Sequence, residues 1–297
     1  MVPLARRDDE ARCRARSFRL WRALRYASQR NVDLCRKCLM SGTLIFTHIP
    51  KTAGTSLKKS AIFPNVRPRD VYQIFGVRKL IQDRPRGASV VFGHFPYGAH
   101  VALGPGPFRY LTILRDPVDR AVSFYNYVLL CERGNPAHGE GHRWHPALPD
   151  AKRYPIDAFY ELEAYRNVQT KFTAGYAWLR PRNALPSWLL TLVASEAQLL
   201  ERAQSNLIHR YWYFGLLDRI DEAQDVIARA LGGTSQPMRD RTRQTSGALG
   251  LVDPSPAQRD RIRELNALDV ALYDFARRHY DAQAALTPFV SPSTGAS

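Results

Sequence analysis

Apolar residues gather into short runs separated by longer amphipathic stretches. Leu44, Ile45 and Phe46 form the first run, rich in β-formers and closed by the Pro50-to-Gly54 segment, so they predict a buried strand ending in a tight loop. Thr55 and Ser56 then open a helix. Between Val66 and Leu80 the apolar positions Val71, Tyr72, Ile74 and Phe75 follow no clear period, and no element is assigned there. Val90, Val91 and Phe92 predict a second strand, ended by Gly93, and Phe108 to Leu114 a third. Asp116 is a natural N-cap, Pro117 suits the first helical position and Asp119 follows three residues after the cap, so a helix is expected from Val118 to about Leu130. Residues 131–155 read as loop. One helix is expected from Pro155 to Gly175 and another near Ser195 to Ala203. Trp212 to Leu217 predicts the fourth strand, followed by a helix from Ile220 to Leu231 and a long basic loop, Gly232 to Pro254. A single long final helix starts at Ser255-Pro256, with Ile262, Leu265, Leu268, Leu272 and Phe275 on its apolar side.

Strands alternating with helices predict an α/β fold, a three-layer sandwich around a mainly parallel sheet. It occupies one domain, residues 41–281. Residues 1–40 form a basic extension with a helix around Ser17 to Ser28, and residues 282–297 a disordered tail. There is no internal repeat.

Charge narrows the choice of partner. The chain of 297 residues carries 43 Lys and Arg against 27 Asp and Glu, a formal net charge of +16. Such a field favours nucleotides, sulfated or carboxylated glycans, nucleic acid or anionic lipid, although part of it is also what a solvated Arg-rich surface gives. No stretch approaches the ~20 apolar residues of a membrane span. Arginines interrupt Phe18 to Ala27, which therefore cannot serve as the apolar segment of a signal peptide. A frayed extension and a basic helix lying on a membrane are the two readings of that segment. Cys13, Cys35, Cys38 and Cys131 do not make a disulfide framework in a chain this long and read as free thiols of a reducing compartment. A cytoplasmic, bacterial protein is expected.

The loop after the first strand carries the chemistry. In TLIFTHIPKTAGTSL, Thr43 to Leu57, a strand leads through a phosphate-sized turn into a helix, whose first N–H groups and positive end suit a phosphate or sulfate. Lys51 adds a cation, and Thr52, Thr55 and Ser56 add hydroxyls. A nucleoside-triphosphatase loop would place Lys directly before the magnesium-holding hydroxyl; here Lys51 comes first and Gly54 is followed by Thr55. In parallel sheets ligands lie beyond the carboxyl ends of the strands, so Lys51, His94 and Arg115 are carried to one edge, with Ser123 eight residues past Arg115. Lys51 with its hydroxyls suits one phosphate, and Arg115 with Ser123 suits another some distance away. His94 is the member of the set with a natural pKa near neutrality, as a general base requires.

IPKTAGTS at 49–56, FGHFPYG at 92–98, LRDPVDRAVSFYNY at 114–127 and NALDVALYDFA at 266–276 together resemble the P-loop sulfotransferases, specifically the family-2 group that includes the heparan uronosyl 2-O-sulfotransferases and bacterial relatives. The resemblance spans about 40–280. It implies a sulfuryl donor, 3′-phosphoadenosine 5′-phosphosulfate (PAPS), and transfer to an acceptor hydroxyl, with carbohydrate, possibly an anionic glycan, as the acceptor class. It assigns Lys51 to the oxygen bridging phosphate and sulfate, Thr52, Gly54, Thr55 and Ser56 to the 5′-phosphate, and Arg115 and Ser123 to the 3′-phosphate. It assigns His94 to the proton of the acceptor and requires no metal. Gln169, in RNVQTKFTAG, lies where relatives carry a polar segment facing the site, which makes it the candidate substrate residue. One departure stands out. The uronosyl enzymes carry a second His before the Gly-His pair, and here that place is Phe92.

Arg241 and Arg243 lie in a basic loop that either closes over the nucleotide or is solvated. His138, His142 and His145 lack Cys or carboxylate companions in ligand spacing, so no metal is expected from them. Tyr110, Phe124, Tyr125 and Tyr127 read as core, so no nucleic-acid partner is expected. Two other functions stay open: an ATP-dependent P-loop kinase, which requires the other loop order and an acidic strand end, and a non-enzymatic anion or nucleic-acid binder, which has no use for His94.

Overall fold

A computed structural model describes residues 42–74, 76–85, 87–132, 145–175, 195–238 and 251–286. The basic extension, His138, His142, Arg241 and Arg243 lie outside the described residues, as does the chain beyond Leu286. The elements below belong to a compact unit that begins at Thr43.

The apolar runs become the middle of a five-stranded sheet. β1 (Thr43–Thr47) lies between β3 (Val90–Gly93) and β4 (Phe108–Leu114), with β2 (Val71–Ile74) outside β3 and β5 (Tyr211–Leu216) outside β4. All four pairings are parallel. Leu44 to Phe46, Val90 to Phe92 and Leu111 to Leu114 are buried, as expected of strands covered on both faces by helices. β2 is the strand that sequence periodicity did not assign. It is an edge strand in which only Ile74 is buried, so its residues show neither a continuous apolar run nor a clean alternation.

The flanking helices are α1 (Gly54–Leu57), which continues as a π-helical turn Lys58–Ile62, then α2 (Val77–Asp83), α3 (His100–Leu103) and α4 (Pro117–Glu132). After them come α5 (Leu148–Arg153), α6 (Ile156–Phe159), α7 (Val168–Ala174), α8 (Glu196–His209), α9 (Ile220–Ala230), α10 (Pro256–Leu265) and α11 (Ala267–Leu286). The main core surrounds the sheet. A second one gathers Val118, Phe124, Tyr125, Phe159, Tyr160 and Ile262 where α4, α6 and α10 meet.

Two expected helices are broken, and one network breaks both. The stretch Pro155 to Gly175 is α6, a 3₁₀ turn at Glu163–Tyr165 and α7, with Asn167 left-handed at φ 53° between the last two. The final helix divides at Asn266 into α10 and α11, and α11 runs to Leu286, into the stretch expected as a disordered tail. Asn167 and Asn266 tie the two breaks together. The Asn167 N–H donates to Asn266 Oδ1 at 3.0 Å, and Asn167 Oδ1 accepts from the N–H groups of Leu268 at 3.1 Å and Asp269 at 3.2 Å.

Asp269, fully buried, then supplies the cap that α7 lacks locally. Its Oδ2 accepts from the Gln169 N–H at 3.1 Å, and its Oδ1 from the Thr170 N–H at 2.7 Å and the Thr170 hydroxyl at 2.8 Å. A carboxylate at a helix N-terminus satisfies orphan N–H groups and favours the helix dipole. Asp269→Ala leaves three buried donors unpaired and is expected to lower stability by about 3 kcal/mol or more, with Asp269→Asn losing less. Urea denaturation measures both, and an Ala variant within error of the parent would refute the cap.

Candidate functional site

The site starts where β1 ends. Thr47 pairs with Gly93 on one side and Thr112 on the other, so the exits of β1, β3 and β4 lie at one sheet edge. The His48 N–H continues the ladder to the Gly93 carbonyl at 2.9 Å. Gly93 is obligatory for close strand packing, because a Cβ there would lie 1.7 Å from the Ile74 carbonyl oxygen.

Beyond His48 the loop turns sharply. Lys51 (φ 71°) and Ala53 (φ 60°) are left-handed without being glycine, a conformation costing on the order of 1 kcal/mol or more each. Specific bonds hold it. The Thr52 hydroxyl, fully buried, donates to the Ile49 carbonyl at 2.9 Å, and Arg115 Nη1 donates to the Lys51 carbonyl at 3.1 Å. The hydroxyl of Thr52 is thus turned into the loop, while Thr55 and Ser56 are half-buried at the start of α1, whose first-turn N–H groups have no intrahelical partner. Gly54 is packed against an imidazole: a Cβ would lie 2.1 Å from His48 Cδ2.

That imidazole is a site residue the sequence reading passed over. His48 is buried and stacked between Phe92 (4.9 Å, 28°) and His94 (4.6 Å, 28°). Burial, then the neighbouring charges of His94, Lys58 and Lys51, push its pKa well below 6.5. Its Nδ1 is buried without a hydrogen-bond partner. The signal was present in the sequence, a His directly after a buried strand and before Pro-Lys. A second imidazole thus stands beside His94, carried by the neighbouring strand exit.

His94, half-buried at the exit of β3, bonds through Nδ1 to the His48 carbonyl at 2.7 Å. A carbonyl only accepts, so Nδ1 carries the hydrogen and Nε2 keeps the lone pair. Burial lowers the His94 pKa, and the bond to His48 opposes that in part. The imidazole is therefore neutral at neutral pH, with its lone pair on Nε2.

Arg115 leaves β4, and burial draws its pKa down from the ordinary value. Gln169 fixes its main chain at both ends: Oε1 accepts from the Arg115 N–H and Nε2 donates to the Arg115 carbonyl, each at 2.9 Å. Gln169 is 1% exposed. The candidate substrate residue thus positions Arg115 and presents no free amide to an acceptor. Ser123 is buried on α4, two turns beyond the Asp116 cap, whose Oδ1 accepts from the Asp119 N–H at 2.9 Å. Tyr127, one turn further along α4, lies beneath the Lys51 ammonium at 4.7 Å from the ring centre. The loop, the β3 exit and the β4–α4 junction therefore meet at one place. Among the described residues no group of three His, Cys, Asp or Glu is placed to hold a metal ion, and no helix is long and apolar enough to cross a membrane.

Lys51, Arg115 and the start of α1 thus lie beside a neutral imidazole at the carboxyl edge of a parallel sheet in an α/β protein. No family model matches the chain. The chain is similar to heparan-sulfate 6-O-sulfotransferase 1 of Homo sapiens, 24% identical in an alignment 278 residues long that takes in 79% of this chain and 64% of the human protein. It thus spans just under two thirds of that relative.

Stability should register the buried imidazoles. The folded pKa of His48 is depressed, so below pH 6.5 the unfolded chain takes up a proton that the folded chain refuses. Stability is complete above that pH and falls by up to about 1.4 kcal/mol per pH unit for each such group as pH drops. His48→Leu should flatten this slope in denaturation measured between pH 7 and about pH 5. An unchanged slope would mean that His48 does not take part in it.

Proposed function

We propose that this chain is a PAPS-dependent sulfotransferase that moves a sulfuryl group to an acceptor hydroxyl on a carbohydrate. The observation that carries the reading is the bond from Arg115 Nη1 to the Lys51 carbonyl, which joins the two predicted phosphate sites into one cradle with His94 beside it. The similarity to a human heparan-sulfate 6-O-sulfotransferase supports both the reaction class and a glycan acceptor. That relative is a 6-O enzyme, and with Phe92 at the place of the second His it favours the wider sulfotransferase class over the uronosyl 2-O subgroup.

The residues present fit the donor. Gly54 lets the loop close onto His48, where any side chain would strike the imidazole, and the half-buried Thr55 and Ser56 open α1. Bound PAPS would supply the sulfuryl group and leave as 3′,5′-adenosine bisphosphate. Thr55, Ser56 and the N–H groups of α1 hold the 5′-phosphate, with Thr52 bracing the loop from within. Arg115 and Ser123 hold the 3′-phosphate, the group ATP does not have. Lys51 neutralises charge that builds on the bridging oxygen, an electrostatic contribution needing no metal. His94 Nε2 accepts the proton of the attacking hydroxyl, and the His48 carbonyl steadies the resulting imidazolium through Nδ1–H.

The kinase reading requires Lys before the magnesium-holding hydroxyl, and the loop has the other order. The non-enzymatic reading leaves the fixed tautomer of His94 without a purpose. The parent protein should bind 3′,5′-adenosine bisphosphate more tightly than ATP. Arg115→Ala should weaken that binding by about 10–100-fold, the worth of a charge-assisted hydrogen bond. His94→Ala should keep the binding and lose about 10²–10⁴-fold in transfer. Calorimetry and transfer from labelled PAPS to 6-O-desulfated heparan sulfate measure these, and equal affinity for ATP and the bisphosphate would defeat the reading. Because burial lowers the His94 pKa, the acid limb of the rate should lie below pH 6.5.

A further inference from the structure

His145 entered as a loop residue without chemistry, yet its ring stands in the same place as the residues above. It meets Phe124 edge-on at 5.6 Å and 79°, and Tyr127 at 5.7 Å and 83°. Tyr127 is the ring beneath the Lys51 ammonium. One aromatic side chain thus carries the predicted leaving-group cation on its face and the His145 imidazole against its ring. The Ala147 N–H donates to His145 Nδ1 at 3.1 Å. A backbone N–H only donates, so Nδ1 holds the lone pair and the ring hydrogen sits on Nε2. This is the tautomer opposite to that of His94. Burial first, and then the charge of His94, draw the His145 pKa down to about 4.

We propose that His145 is a further active-site residue whose Nε2–H donates to the oxygens of the sulfuryl group during transfer. The inference rests on the sulfotransferase reading. In-line transfer sets the entering oxygen at His94, the sulfur, and the leaving oxygen at Lys51 along one axis, and the remaining sulfuryl oxygens project to the side. His145, packed against the ring that carries the Lys51 ammonium, stands beside the leaving end of that axis. In the step itself the acceptor oxygen forms a bond to sulfur and its proton passes to His94 Nε2. The bond from sulfur to the bridging oxygen breaks, its electron pair going to that oxygen beside Lys51. His145 keeps its proton throughout. A neutral imidazole suits the task, because it donates to the sulfuryl oxygens without adding a charge that would make His94 a poorer base. The rings of Phe124 and Tyr127 and the bond from Ala147 hold it in place, so the donor is oriented before the ligand arrives.

Two substitutions separate a donor from a spacer. His145→Phe keeps a ring against Phe124 and Tyr127 and removes the donor. His145→Gln loses the ring and returns an N–H near the position of Nε2. With labelled PAPS, read as transfer to 6-O-desulfated heparan sulfate and as sulfate released to water, His145→Phe should lower kcat by about 10²-fold with KM for PAPS little changed. His145→Gln should recover at least a tenth of the parent rate. The bisphosphate has no sulfuryl group, so its affinity should be the same in all three proteins. The opposite ranking, Phe active and Gln inactive, would overturn the proposal, as would a His145→Phe variant as fast as the parent. A parent protein that fails to bind the bisphosphate overturns the sulfotransferase reading itself, and the inference with it.

Discussion

The candidate site depends on the register at Thr47. In a parallel ladder a slip of one residue turns every side chain to the other face, and here Leu44 to Phe46 are buried with helices around them, so no slip is tolerated. Thr47 is held level with Gly93 and Thr112, and the Thr112 hydroxyl donates to the Thr47 carbonyl at 3.0 Å. From that level point the chain runs on to His48 and His94 on adjacent exits and to Arg115 three residues beyond Thr112. The ring stack, the bond from His94 to the His48 carbonyl and the bond from Arg115 to the Lys51 carbonyl all follow from it.

A second support comes from far along the chain. Asp269 on α11 caps α7, the cap places Gln169, and Gln169 holds the main chain of Arg115 at both its N–H and its carbonyl. Side chains about a hundred residues apart in sequence thus set the direction in which one guanidinium leaves the sheet. Buried polar groups of this kind stabilise only when every partner is present. Here Asn167, Asn266, Gln169, Thr170 and Asp269 satisfy one another. The left-handed Asn167 and the break at Asn266 are the local distortions that bring those partners together.

What the sequence made legible was the part governed by local rules. Strands buried on both faces read as apolar runs, and Asp116-Pro117 marks the start of α4 through its own capping chemistry. The set Lys51, His94 and Arg115 follows from parallel strands delivering their exits to one edge. The rest depends on distant partners. β2 is half-exposed and lacks a period. The breaks at Asn167 and Asn266 arise from hydrogen bonds between segments about a hundred residues apart, and nothing within either stretch forbids a continuous helix. Gln169 looks like a substrate residue because it is polar and near the site; only its two bonds to Arg115 give it another task. His48 went unnoticed and His145 was weighed only as a metal ligand, because a histidine draws attention by spacing to other ligands, whereas these two are placed by ring contacts.

Charge and proton chemistry are kept apart in this site. In a chain with a net charge of +16, a titrating base competes with its surroundings for every proton. Lys51 and Arg115 carry the permanent positive charge, while burial keeps His48, His94 and His145 below their ordinary pKa. The stacked His48 matters most here. A second protonated imidazole 4.6 Å from His94 would hold that base in its unprotonated form but would also destabilise the imidazolium of the proposed transfer. A neutral His48 avoids that repulsion, and its carbonyl, fixed by the β1–β3 register, offers the imidazolium a hydrogen bond instead. The same register that aligns the strand exits therefore also sets the electrostatics of the proposed base.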